Sequence, residues 1–461
     1  MNPNFIACLV MYSFPLISVA IFKRYQIRTA ILLVFIGGFI LLPYANLNLP
    51  HIPYQKLNAL GIGLTIGLLS RDSTRILAFR PSLADLPMIC WTLSPFFTSL
   101  SNQLGAYDGL NGIEYRITNY AIPYVAGRIY FGSELSLRDL AVGMVLGGLF
   151  LAPFVLVEIK ISPQFHSWVY GFYPHEWSET KREGGFRPSV FMSHGLELAI
   201  FNAGACFLGW QLFLRKMLPD KIPLIKIPWV GPLALMTVGF IGSRSGGAIM
   251  LCLVCFGIIW IGTKFRTKLP ILIFGILPLI YPFLRGSQLW TGESLLNASA
   301  SLMGPDRARS LGFRMLNENL LSQKANIRSL FGWGGNTRSY IKDEKGRIAS
   351  VPDSKWIVAF GENGAFGVVS FWLVLFTPST IFFLRRPPSL LFSNPVIPGT
   401  LFSLWCFTTL ADDCFNDMNA PVILIAAGGL TTLSRLPVMA STYERSVRED
   451  PQSTESGIRI I

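Results

Sequence analysis

Ionisable residues in this chain gather where apolar sequence gives way to polar sequence, and three such places hold types and spacings that can do chemistry. The first reads Lys181-Arg-Glu-Gly-Gly-Phe-Arg187-Pro-Ser-Val-Phe-Met-Ser-His194 and runs straight into an apolar segment, with Glu197 three residues beyond His194. That spacing puts the imidazole and the carboxylate on one helical face, where they can move a proton or merely cap and brace the helix. The second, Gly242-Ser243-Arg244-Ser-Gly-Gly-Ala, separates two apolar runs. Its small residues let backbone approach a ligand closely, and its guanidinium offers a planar fork that suits phosphate. A lone arginine there would simply snorkel to lipid headgroups. The third, Gly304-Pro-Asp-Arg307-Ala-Arg309-Ser-Leu-Gly-Phe-Arg314-Met-Leu-Asn-Glu318, predicts a helix opening at proline with an acidic first turn. Arg307 and Arg314 share a face of it and could meet an anionic headgroup, or Arg314 could pair with Glu318 on a solvated side.

Two glycine-rich stretches follow: Phe331-Gly-Trp-Gly-Gly335, and then Val351-Pro-Asp353-Ser354-Lys355-Trp356 leading into Glu362-Asn-Gly-Ala-Phe-Gly. Asp353 falls where loop meets apolar sequence. Glu114 and Arg116 either join such a site or pair with each other. His166, His175 and Glu176 are too loosely spaced to suggest a metal centre, and Cys252-x-x-Cys255 lies inside an apolar run without partner ligands, as small packing residues do. Seven cysteines in apolar surroundings form no disulfide framework.

What must position these residues is a membrane bundle. Of 461 residues, 51% are hydrophobic and 14% charged, a balance that long lipid-facing segments require. Apolar runs of about 20 residues recur at 4–22, 29–45, 57–70, 84–100, 112–131 and 137–157. They resume at 190–214, 224–242, 246–263, 269–285, 355–384, 396–411 and 419–436. The expectation is an all-α polytopic bundle of about 12–13 spans, with the long run at 355–384 tilting or breaking near Pro378. The chain divides into N-terminal spans (1–157), a first outside loop (158–189), central spans (190–285), a large outside loop between late spans (286–353), C-terminal spans (354–436) and a polar, disordered cytoplasmic tail (437–461). The net charge of +13 is scattered in short groups that fall in alternate loops, as the positive-inside rule demands. It is therefore topological, and nucleic-acid binding is excluded. Every candidate residue then maps outside the cytoplasm, as does the N-terminus. No internal repeat or matched pair of interrupted helices points to alternating access.

Taken in order, Arg187-Pro-Ser…His194, Gly-Ser-Arg244-Ser-Gly-Gly, Gly-Phe-Arg314, Gly-Trp-Gly-Gly and Gly-Glu-Asn-Gly-Ala-Phe-Gly resemble the O-antigen ligase and polymerase superfamily of bacterial glycan-assembly proteins, over roughly the second half of the chain. The resemblance implies a polytopic fold of the glycosyltransferase C type in the bacterial inner membrane. It also implies metal-independent, inverting transfer of a glycan from undecaprenyl pyrophosphate to an acceptor hydroxyl in surface polysaccharide, with no cofactor. Arg244 and Arg314 match that family's pyrophosphate-contacting arginines, with Ser243, Arg187 and Arg307 beside them. Where the family carries a loop histidine, this chain has Pro352-Asp353-Ser354. Either Asp353 accepts the acceptor proton, or His194 with Glu197 does. The partners implied are the carrier-linked donor, a glycan or lipid-linked acceptor, membrane lipids and other polysaccharide-assembly proteins. Competing readings are a transporter or flippase of lipid-linked glycan and a non-catalytic assembly partner.

Overall fold

The structure, a computed structural model, describes residues 3–49, 52–182, 184–222, 225–303, 305–418 and 420–436; the tail expected at 437–461 lies outside them. It is an all-α bundle, and each of the apolar runs forms a helix. Among the described residues six helices are long and apolar enough to cross a membrane, namely Phe5–Arg24, Glu134–Ile161, Gly195–Leu214, Gly246–Phe265, Leu269–Gly286 and Lys355–Arg385. This is the make-up of a multi-pass membrane protein. Ile27–Leu41, Val230–Gly242 and Val422–Leu433 are shorter apolar helices. The polar run at 112–131 folds as two helices, Ala106–Arg116 and Ile122–Tyr130, joined by a π-helical turn over Ile117–Ala121.

Close packing follows from glycine, as membrane helices without a hydrophobic drive between them require. Val422–Leu433 lies against Ile122–Tyr130, where a Cβ on Gly127 would stand 2.1 Å from the Ile425 carbonyl oxygen and one on Gly428 2.0 Å from that of Tyr124. Phe5–Arg24 packs on Lys56–Leu77 through Phe14, Ser18 and Phe22, which occupy the space over Gly63 and Gly67. Gly195–Leu214 is buried over most of its length at the centre. The seven cysteines are free, and Cys252 and Cys255 are buried packing residues: the Cys255 thiol meets the Thr408 hydroxyl at 3.0 Å.

The two ends of the bundle differ in chemistry. At one, basic side chains cap carbonyls that helix ends leave unpaired. Arg215 donates to Phe392 O, Lys268 to Phe383 O and Arg385 to Ser434 O, each at 2.9 Å. At the other, the N-terminal segment joins the 158–189 loop through Asn4 N–H to Tyr170 O at 3.1 Å. This loop end carries a short hairpin, Lys181–Arg182 with Gly185–Phe186, and the helices Glu293–Met303 and Pro305–Asn326.

Lys355–Arg385 breaks, but at Gly364 (φ 64°, ψ −165°) rather than near Pro378, which stays within helix. Only glycine adopts that backbone freely, and the glycine-rich turn before it satisfies the broken ladder. Ala365 N–H donates to Ser329 O (2.7 Å) and Phe366 N–H to Leu330 O (3.1 Å), while Trp333 and Gly334 N–H groups donate to Gly361 and Glu362 O (both 2.9 Å). Irregular backbone inside a membrane bundle needs this kind of protein partner. The two glycine motifs are thus halves of one joint.

Candidate functional site

Asp353 precedes the N-terminus of Lys355–Arg385, and Arg314 stands on Pro305–Asn326; the two meet at 3.5 Å (Nε to Oδ2), both half-buried. Arg314 also donates to Phe415 O and to Asn416 Oδ1, each at 3.3 Å, so it ties its helix to the turn between the last two spans. Burial pushes the Asp353 carboxyl above its ordinary pKa, Arg314 opposes that, and the charge of Glu179 adds to it. The pairing of Arg314 with Glu318 does not occur. Glu318 is buried and accepts from Arg285, Tyr281, Ser354 and Trp356, a carboxylate whose lone pairs are spent on holding the helix in place.

His194 caps Gly195–Leu214: its Nδ1 accepts the Leu196 N–H at 3.0 Å. Its Nε2 lies 3.4 Å from Glu179 Oε2, and His175 Nε2 reaches the same oxygen at 3.2 Å. Burial, His175 and Arg187 together hold the His194 pKa down, to about 4, against the pull of Glu179. Glu197, one turn into the helix, accepts from Ser193 N–H (2.9 Å) and Oγ (2.6 Å). Capping and a reach toward charged partners therefore coexist in one His-Glu pair.

Arg187 is buried, with its aliphatic stem lying over Gly195. The backbone around it is held by Glu158, whose Oε2 accepts both Ser189 N–H (2.9 Å) and Val190 N–H (2.7 Å); this supports the left-handed φ of 52° at Val190. Arg244 is itself left-handed (φ 55°), a strained conformation of the kind that collects at functional sites. Its guanidinium lies on the hairpin, 2.4 Å from where a Cβ on Gly185 would stand. The stretch from Glu179 to Arg187 thus touches Arg244 on its hairpin side and acts electrostatically on Asp353 from its other end. Ser243 is fully buried and gives its hydroxyl to Phe240 O at 2.6 Å, so its role is in the helix turn. Arg307 stands on the helix with Arg314, but its side chain lies outside the described residues. Arg116 reaches Glu362 at 4.0 Å and lays its guanidinium 3.4 Å from the Trp91 ring centroid.

His175, Glu179 and His194 offer three ligand atoms within 4.8 Å of one another, the one such group among the described residues. The proton positions oppose a metal there. Because the His194 Nδ1 is an acceptor, the neutral ring carries its proton on Nε2, the atom that faces Glu179, whereas a ligating nitrogen needs its lone pair and a donating partner nitrogen. Holding a cation would require an imidazolate or loss of the helix cap. His166 is equally committed, with Nδ1–H on Phe172 O (2.7 Å) and Nε2 accepting Tyr44 N–H (3.2 Å).

Beside these groups a cavity of about 340 Å³ enters the bundle, bordered by His175, His194 and Glu197. Glu179, which organises both histidines, and Lys355, which donates to Asp417 at 2.8 Å inside the cavity, were not among the residues singled out by sequence. The i,i+4 spacing of His175 and Glu179 was the available signal for the first; Lys355 and Asp417, far apart in the chain, had none. No protein-family model matches the chain, and no curated protein matches it by sequence.

Proposed function

We propose that this chain is an extracytoplasmic glycosyltransferase of the bacterial inner membrane, a polymerase or ligase that moves a glycan from undecaprenyl pyrophosphate to an acceptor hydroxyl during surface polysaccharide assembly. The observation that carries this reading is the half-buried Arg314–Asp353 pair at 3.5 Å, at the same end of the bundle as Arg244 and Arg187. In the reaction the acceptor oxygen attacks the anomeric carbon, its proton passes to Asp353, and the bond to the pyrophosphate oxygen breaks with its electron pair leaving on the phosphate. A single displacement inverts the anomeric centre.

Arg314 and Arg244 stabilise charge that grows on the leaving group, and preplaced guanidinium groups are most effective where water is excluded. Donor phosphate competes with Asp353 for Arg314 and so releases the carboxylate to act as base. Asp353 is better suited to that task than His194, both of whose nitrogens already have partners. No carboxylic acid need protonate a pyrophosphate.

Purified protein given carrier-linked glycan and acceptor tests the proposal. Arg314→Ala and Arg244→Ala should each lower transfer by about 10² or more, and Arg314→Lys should also be impaired because a point charge lacks the bidentate fork. Unchanged product from correctly inserted variants would end this reading. Donor crossing a liposome bilayer uncleaved would favour a transporter in its place.

A further inference from the structure

The cavity beside His194 differs in chemistry from the arginine-bearing surface. Three tyrosines, Tyr44, Tyr115 and Tyr120, line it together with Asn119. Glu197 contributes a carboxylate, and its one lysine, Lys355, is neutralised by Asp417 at 2.8 Å while also donating to the Tyr120 hydroxyl at 3.0 Å. No arginine lines it among the described residues. An anion entering here would find no uncompensated cation, so phosphate belongs at the arginines and not in this space.

Asn119 shows that the space is built for an occupant. It is 4% exposed, yet its Nδ2 has no hydrogen-bond partner among the described residues. A buried amide left so costs about 1–3 kcal/mol, and native proteins retain such groups where something else completes them. The residue sits in the π-helical turn Ile117–Ala121. Turns of this kind insert one extra residue into a helix and are frequent at functional sites; here the insertion brings Asn119 and Tyr120 to the cavity together.

We infer that this cavity is a binding site for one neutral saccharide unit. Its volume lies at the small end of ligand pockets, which span about 300–1,000 Å³. An amide donor, a carboxylate acceptor and aromatic rings match the hydroxyl groups and apolar faces of a sugar ring. His194 and His175 stand at its border and connect it through Glu179 to the Asp353 side. This assignment rests on the glycan-transfer reading only for which saccharide enters; the cavity's preference for a neutral, hydroxyl-rich ligand stands on its own residues.

The test is ligand-observed saturation-transfer NMR on the full chain in detergent micelles. Neutral methyl glycosides of common hexoses and N-acetylhexosamines are the probes, with inorganic pyrophosphate as competitor. At least one glycoside should bind, and pyrophosphate should not displace it. Asn119→Leu should weaken that binding at least tenfold. Ala420→Phe, which fills the cavity from another wall, should do the same, so that a folding defect in one variant does not decide the outcome. Arg314→Ala should leave glycoside binding intact while abolishing transfer. Silence of every glycoside with wild-type protein, displacement by pyrophosphate, or full binding in both cavity variants would each overturn the site. Retained transfer in Arg314→Ala would instead count against the enzyme assignment alone.

Discussion

At the scale of single residues, hydrogen bonding separates groups that sequence leaves equivalent. Asp353 and His194 are both ionisable and both sit at helix entrances, but His194 spends Nδ1 on the Leu196 N–H and turns Nε2 to Glu179, while Asp353 keeps a carboxylate against one arginine. If Asp353 is the base, transfer should fall on acidification through a pKa above the ordinary aspartate value of about 4, since burial raises it. Asp353→Asn should abolish that acid limb along with roughly 10²-fold or more of the rate, as a pH–rate profile of product formation would register. The histidines make a stability prediction. Burial holds both His166 and His194 down at about 4. As pH falls below the free imidazole value of about 6.5, the unfolded chain therefore takes up protons first. Stability present above pH 6.5 is lost between there and pH 4, on the order of 2 kcal/mol per histidine at pH 5. Thermal melts in detergent should show it, and His194→Gln should halve the pH dependence. Arg244, Arg314, Asp353 and His194 were legible in sequence because they interrupt polar-to-apolar boundaries. Glu179 and Asn119 were not, because their importance comes from what tertiary packing sets beside them.

At the scale of elements, the break in Lys355–Arg385 is the clearest case of sequence motifs whose purpose appears only in space. Gly332 and Gly364 were both visible as glycine motifs, and the length of the helix predicted a break, yet proline was the expected cause. Proline removes one donor and tilts a helix; a reversal of backbone sign needs glycine. A Cβ on Gly364 would lie 2.3 Å from the Leu330 carbonyl, and one on Gly332 2.5 Å from the Glu362 carbonyl carbon. Gly364→Ala and Gly332→Ala should thus each cost about 1–3 kcal/mol from backbone strain, with overlap adding to it, and lower the yield and melting temperature of folded protein. Gly335, where a Cβ would meet nothing within 4 Å, should tolerate alanine. Equal melting temperatures for all three variants would contradict the joint.

At the scale of the whole molecule, the helices coincide with the apolar runs of the sequence because lipid forces every buried backbone group into internal hydrogen bonds. Hydropathy therefore predicts element type well and says little about which helices touch. The alternation of basic loops carried further: the residues expected on one face do cap helix ends there, and the N-terminus does join the 158–189 loop. Membrane-impermeant thiol labelling should mark a cysteine at Lys181 and one at Arg24, both exposed, from opposite sides of a sealed vesicle; labelling of both from one side would break the two-ended arrangement. The contact between Gly127 and Ile425 has a consequence for biogenesis. These residues are roughly 300 positions apart in the chain, and at about 5–20 residues per second the ribosome needs about 15–60 s to go from one to the other. Through that interval the groove beside Ile122–Tyr130 stands open to lipid or to an insertion chaperone. The final helix closes it last, so the C-terminal end of translation doubles as the assembly step.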